Sequence, residues 1–135
     1  MIKYSIILIV LIFACRPAGG QNLIGYNASG IMNYMAEHRR DLHSVRVKND
    51  LFRYLKYTDS SDNQTIFFFL SADSVCRNIR MILDQSLKNS KIKELNSSYA
   101  RINESKWLDY RDGKEYLVEM FDEQWSLVIT IGSKQ

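Results

Sequence analysis

The chain is poor in the residues that usually carry chemistry. Its 135 residues include two cysteines, two histidines, one proline and six glycines. The histidines, His38 and His43, are five apart, not at the i, i+4 spacing that sets two ligands on one helix face, so His38 reads as a semi-buried packing residue. No paired-cysteine zinc spacing and no glycine-rich phosphate loop occurs. One of the two cysteines, Cys15, lies in an apolar N-terminal stretch, which leaves Cys76 without an intramolecular partner and removes a disulfide framework. A single proline means few obligatory breaks.

A strong charge of either sign is also missing. Of 18 basic residues, Lys3 and Arg16 precede Gln21; the remainder is 16 basic against 15 acidic residues. A nucleic-acid footprint needs a basic stripe, and none is left once these are set aside. What is present is an ordinary globular composition, 46% hydrophobic and 24% charged. Eight tyrosines and six phenylalanines tilt it toward β structure.

The N-terminus reads as an export signal. Lys3 precedes the apolar run 6–13, IILIVLIF, whose eight residues fall short of the roughly 20 a transmembrane helix needs. Two processing routes fit. Ala18 and Gly20 are small residues placed for cleavage before Gln21, while Ile12-Phe13-Ala14-Cys15 resembles a lipobox that would make Cys15 a lipidated first residue. On either route a single α+β domain covers 21–135, and its only expected membrane contact is a lipid on Cys15.

Asn27 is placed to cap a helix over about 28–42, with Ile31, Tyr34, Met35, His38 and Leu42 on one stripe and Tyr26 and Ile31 as a staple. Strands come next at 51–58 (LFRYLKYT), 65–70 (TIFFFL) and 75–83. In the last, Val75, Arg77, Ile79, Met81 and Leu83 alternate with Cys76, Asn78, Arg80 and Ile82. A second helix begins at Asp84 and runs toward Tyr99. The closing stretch, 107–131, reads as three strands. Asp112-Gly113 makes the first hairpin turn, and Trp125, Leu127, Ile129 and Ile131 share an inward face.

The closing stretch echoes 54–83. Tyr54-Leu55-Lys56-Tyr57 lies over Trp107-Leu108-Asp109-Tyr110, and Cys76 over Ser126. The expectation is a duplicated αβββ unit, with repeats at about 25–83 and 84–131. It predicts a mainly antiparallel six-stranded sheet with two helices on one face. The opposite face would carry Cys76, Asn78, Arg80, Ser126 and Thr130 and stay open to water.

The Gly-x-Asn-x-x-x-Ile start at Gly25, Asn27 and Ile31, with the tyrosine-rich hairpin and aromatic strand after it, resembles the BamE/SmpA and β-lactamase-inhibitor-protein type of exported unit. That resemblance covers about residues 25–83 and implies action by binding other proteins. The whole two-copy pattern, with one mid-chain cysteine and a closing tryptophan hairpin, also resembles small secreted or lipid-anchored proteins of Bacteroides-like bacteria, which bring no activity with them. Four Asn-x-Ser/Thr sequons, at Asn27, Asn63, Asn96 and Asn103, would matter only in a eukaryotic secretory path.

Asp109, Asp112, Asp122 and Glu123 sit at turns, where aspartate serves local hydrogen bonding. No catalytic residue, cofactor or metal is therefore expected. Trp125 is assigned to the core. Tyr54, Trp107 and Arg80 are the residues expected to meet an envelope protein partner. Two other readings remain open: a carrier holding a small ligand between sheet and helices, and an enzyme using Cys76.

Overall fold

The computed structural model describes residues 22–46 and 53–134. The leader, Cys15 and the first two residues of the expected strand 51–58 lie outside them. The described chain is α+β, as expected. Helix α1 (Ala28–His38) precedes strands β1 (Leu42–Val45), β2 (Tyr54–Asp59), β3 (Gln64–Leu70) and β4 (Cys76–Leu83). A 3-10 turn over Gln85–Leu87 leads into α2 (Lys88–Ser98). Strands β5 (Ala100–Asn103), β6 (Lys106–Arg111), β7 (Lys114–Asp122) and β8 (Leu127–Ser133) complete the chain.

The sheet has eight strands rather than six, in the order β1-β2-β3-β4-β8-β7-β6-β5, all neighbours antiparallel. The two extra strands are the outermost ones, in stretches that read as helix or loop from sequence. Leu42 fits the α1 stripe by spacing, but the chain leaves the helix at Arg39 (φ −131°), whose N–H closes the last turn on Met35 O. Leu42 then enters β1 and is buried from there. Tyr99 likewise turns extended after α2, and the short run Ala100–Asn103 pairs with β6 although all four residues are exposed. Four-residue edge strands carry too little alternation to be read.

Asn27 caps α1 as expected, its side-chain oxygen accepting the Gly30 N–H at 2.8 Å. Asp84 is also a cap, but of the 3-10 turn rather than of α2, through the Ser86 N–H. His38 is exposed, not semi-buried. Its ring lies 4.5 Å from that of Tyr34.

Directly paired residues of neighbouring strands point to the same face. One row therefore crosses six strands: Leu55, Phe68, Ile79, Ile131, Val118 and Trp107. Five of these six belong to the buried core, which also takes Ile31 and Met35 from α1 and Leu95 from α2. Both helices thus cover this face. Leu23 and Ile24 complete the core, held where Arg111 donates to the Asn22 and Ile24 carbonyls and Asn22 Nδ2 donates to Asp109 Oδ2 at 3.0 Å.

Candidate functional site

The face away from the helices is the candidate site, because neither helix covers it. Its central row is Lys56, Phe67, Arg80, Thr130, Glu119 and Lys106, one residue from each of six strands. Tyr54, Phe69 and Asn78 form the adjacent row. The aromatic side chains cluster. Tyr54 lies 5.5 Å from Phe67 edge-on, and Phe67 stacks on Phe69 at 6.0 Å with planes 15° apart. Lys56 Nζ sits 5.6 Å from the centre of the Phe67 ring, a cation–π contact.

Beside this cluster the surface dips. Gly132 on β8 presents no side chain, and a Cβ there would meet Asn78 Oδ1 at 3.1 Å. The result is a shallow groove edged by Phe69, Asn78, Arg80, Leu117, Glu119 and Thr130. Arg80 is exposed and has no ion pair among the described residues. Lys56, Arg80 and Lys106 outnumber the one carboxylate in the row, Glu119. The face is aromatic, half-buried and locally cationic.

Two of the three expected contact residues lie here. Tyr54 and Arg80 share this face as expected. Trp107 does not: it is on the helix-covered face at 0% exposure, its Nε1 donating to Asn96 Oδ1 of α2 at 2.9 Å, with Arg101 5.3 Å from the ring centre. Matching Tyr54 with Trp107 is one residue out of phase. It is Leu55 that shares the core face with Trp107, and a one-residue slip exchanges the faces of a strand.

Trp125 reverses in the opposite sense. Expected in the core, it is 83% exposed. The turn between β7 and β8 runs through Ser126, so β8 starts at Leu127 and Trp125 falls outside the alternation that its spacing suggests.

Cys76 also changes sides. Phe69 pairs with Asn78 but Leu70 pairs with Cys76, so Arg77 is an extra residue in β4 and the alternation shifts there. Cys76 is consequently at 0% exposure in the core, its thiol pushed up to about 11 by burial. A nucleophilic cysteine needs the reverse, an accessible thiol with a lowered pKa.

Two of the acidic residues expected at turns make long-range rather than local bonds, Asp109 from within β6 and Asp122 from the end of β7. Asp122 Oδ2 accepts from Lys88 Nζ at 2.6 Å, and Asp109 accepts from Asn22. Asp112 and Gly113 both have positive φ (52° and 74°), the conformation of a type I′ hairpin turn. Three of the four sequon asparagines have side-chain oxygens already engaged: Asn27 by Gly30, Asn96 by Trp107 and Asn103 by Ser105. No cluster of three His, Cys, Asp or Glu able to hold a metal occurs among the described residues, and none of the described helices is long and apolar enough to cross a membrane.

The spaces on the helix side include a void and a cleft beside the helices. The void under α1, lined by Leu23, Tyr34, Met35 and Phe68, measures about 20 Å³, room for roughly one water. A cleft of about 340 Å³ opens where the end of α1 faces α2, bordered by Arg39, Asp41, Lys91 and Glu94. Its charges are already matched, Arg39 to Asp41 at 3.0 Å and Lys91 to Glu94 at 3.0 Å.

Sequence reasoning misses Phe67 and Phe69 as surface groups. The run TIFFFL reads as one continuous apolar strand, but period-2 alternation puts Ile66 and Phe68 inward and Phe67 and Phe69 outward. Compared with known proteins, the chain matches no family model, no curated protein and no solved structure.

Proposed function

We propose that this is a non-catalytic, exported protein-binding module that works through its open sheet face. The observation that carries this reading is the Tyr54, Phe67 and Phe69 cluster lying beside Arg80, which has no ion pair among the described residues, on a face that no described helix covers. Tyrosine and arginine are enriched among residues that dominate binding interfaces. The excess of Lys56, Arg80 and Lys106 over Glu119 selects a partner surface that offers carboxylates next to apolar side chains, since complementary charge sets specificity and encounter rate.

The resemblance to exported units that act by binding proteins points in the same direction, as does the leader-like stretch 1–20. We read the two runs of one helix and four strands as copies of one unit. Its support is the strand order, which reverses about the β4–β8 pair. The intact mass of the protein from its native cell separates a chain beginning at Gln21 from one beginning at a lipidated Cys15.

Binding is tested by in-cell crosslinking with mass spectrometry, comparing the unaltered chain with Arg80→Glu and Tyr54→Ala. Both substitutions are at the surface side of the sheet and leave the core row intact. The expected result is a discrete crosslinked partner that both substitutions deplete. Recovery of the same partner at full yield from both variants would remove the open face from consideration. The alternative, a carrier, would use a cleft such as the charge-matched one between α1 and α2; we prefer the open face because that cleft's charges are already paired.

A further inference from the structure

Trp125 is the most exposed large hydrophobic side chain among the described residues, at 83%. Its backbone is braced. Gln85 Nε2 donates to both the Glu123 and Ser126 carbonyls, at 3.0 and 2.9 Å. The Glu123 N–H closes the turn on Ser126 O at 2.9 Å, and Lys88 Nζ ties Asp122 to the start of α2 at 2.6 Å. A turn that only joined two strands would not require a glutamine side chain bridging both of its carbonyls. Bracing of this kind presents the indole with little ordering cost left to be met on binding.

The surroundings are acidic on balance. Asp122 and Glu123 precede Trp125 in the turn. Asp84 lies next to the same turn, because Leu83 pairs with Leu127. Lys88 is matched to Asp122, while neither Asp84 nor Glu123 has an ion pair among the described residues. Hydrogen bonding lowers the pKa of both Asp84, from Ser86, and Asp122, from Lys88, so these carboxylates are ionised at neutral pH. An exposed indole in a turn flanked by acidic residues favours a cation on both counts.

We propose that the Trp125 turn is a second binding site, distinct from the open sheet face, that takes an arginine- or lysine-bearing segment of a partner protein, with the cation stacked on the indole and held by Asp84 and Glu123. The site does not depend on the open-face reading, and its charge is opposite to that of the Lys56–Arg80 surface. Anionic lipid is repelled by the same carboxylates, which favours a protein segment over a membrane surface.

The test uses the full domain with the indole N–H groups labelled for NMR. Trp107, buried and bonded to Asn96, serves as an internal control beside Trp125. The probe is a short glycine-spaced peptide with two arginines, compared with the same peptide carrying neutral citrulline. The expected result is a salt-sensitive shift of the Trp125 signal with the arginine peptide only, and binding weakened about two- to fivefold in Trp125→Ala and in the double variant D84N/E123Q. Equal response to citrulline, or no shift of Trp125 with the arginine peptide, overturns the proposal. So does a Trp125 response confined to phosphatidylcholine or phosphatidylglycerol vesicles, which would make the residue a membrane anchor.

Discussion

Among single residues, the two tryptophans show what a sequence states and what it hides. Both sit in strand-like surroundings, and alternation counted from the wrong neighbour places each on the wrong side. Trp107 fills the core between β6 and α2, and removing it leaves a large cavity and an unpaired Asn96 oxygen. Trp107→Ala is expected to cost about 3–5 kcal/mol, while Trp125→Ala changes stability by no more than about 0.5 kcal/mol. Urea unfolding of both variants, followed by far-UV circular dichroism, checks the contrast. Comparable losses at the two positions would contradict the assigned burial. Cys76 teaches the same lesson, since one bulged residue, Arg77, moves it from the polar set to the core, and nothing in the letters around it announces a bulge.

Among the secondary-structure elements, signals with a local mechanism are legible in the sequence. Asn27 as a helix cap, Asp84 as a cap and Asp112-Gly113 as a tight turn each rest on contacts within a few residues. The edges are not legible, because β1 and β5 exist through pairing with β2 and β6 rather than through their own composition. Several element junctions are held by carboxylates. Asp41 accepts from Arg39 after α1, Asp84 caps the 3-10 turn, and Asp122 accepts from Lys88 across to α2. In each the leading cause, a hydrogen bond to the carboxylate, lowers the folded-state pKa below the usual value of 3.8. A depressed carboxylate contributes stability that is present above its unfolded-state pKa and is lost as pH falls through the folded value. Thermal stability is therefore expected to hold from neutrality to about pH 4 and decline below it. Asp84→Asn, which keeps an acceptor oxygen but cannot titrate, should make that decline shallower. An unchanged slope in Asp84→Asn would show that its cap does not participate.

Across the whole molecule, the α+β class and the placement of two helices over one sheet face follow from the alternation of core residues, whereas the strand order does not. Among the described strands, the one pair joining the halves, β4 with β8, links residues about fifty apart through pairs such as Ile79–Ile131 and Leu83–Leu127. It also joins the two halves of a single core cluster, since Ile79, Met81, Ile129 and Ile131 are all buried within it. If the halves were separate folding units, each would expose one of these apolar strands as a bare edge, a strongly unfavourable state. The whole domain is thus expected to unfold in a single cooperative transition. Cys76 reports on the first half and Trp107 on the second, which allows a direct measurement. Pulse alkylation of Cys76 and fluorescence of Trp107, the latter in a Trp125→Phe background, should give the same urea midpoint. Native Cys76 should resist alkylation at neutral pH, because the thiol is buried and its pKa is raised to about 11. A Cys76 midpoint well below that of Trp107 would mean that the first half opens alone, and that the β4–β8 seam does not couple the two.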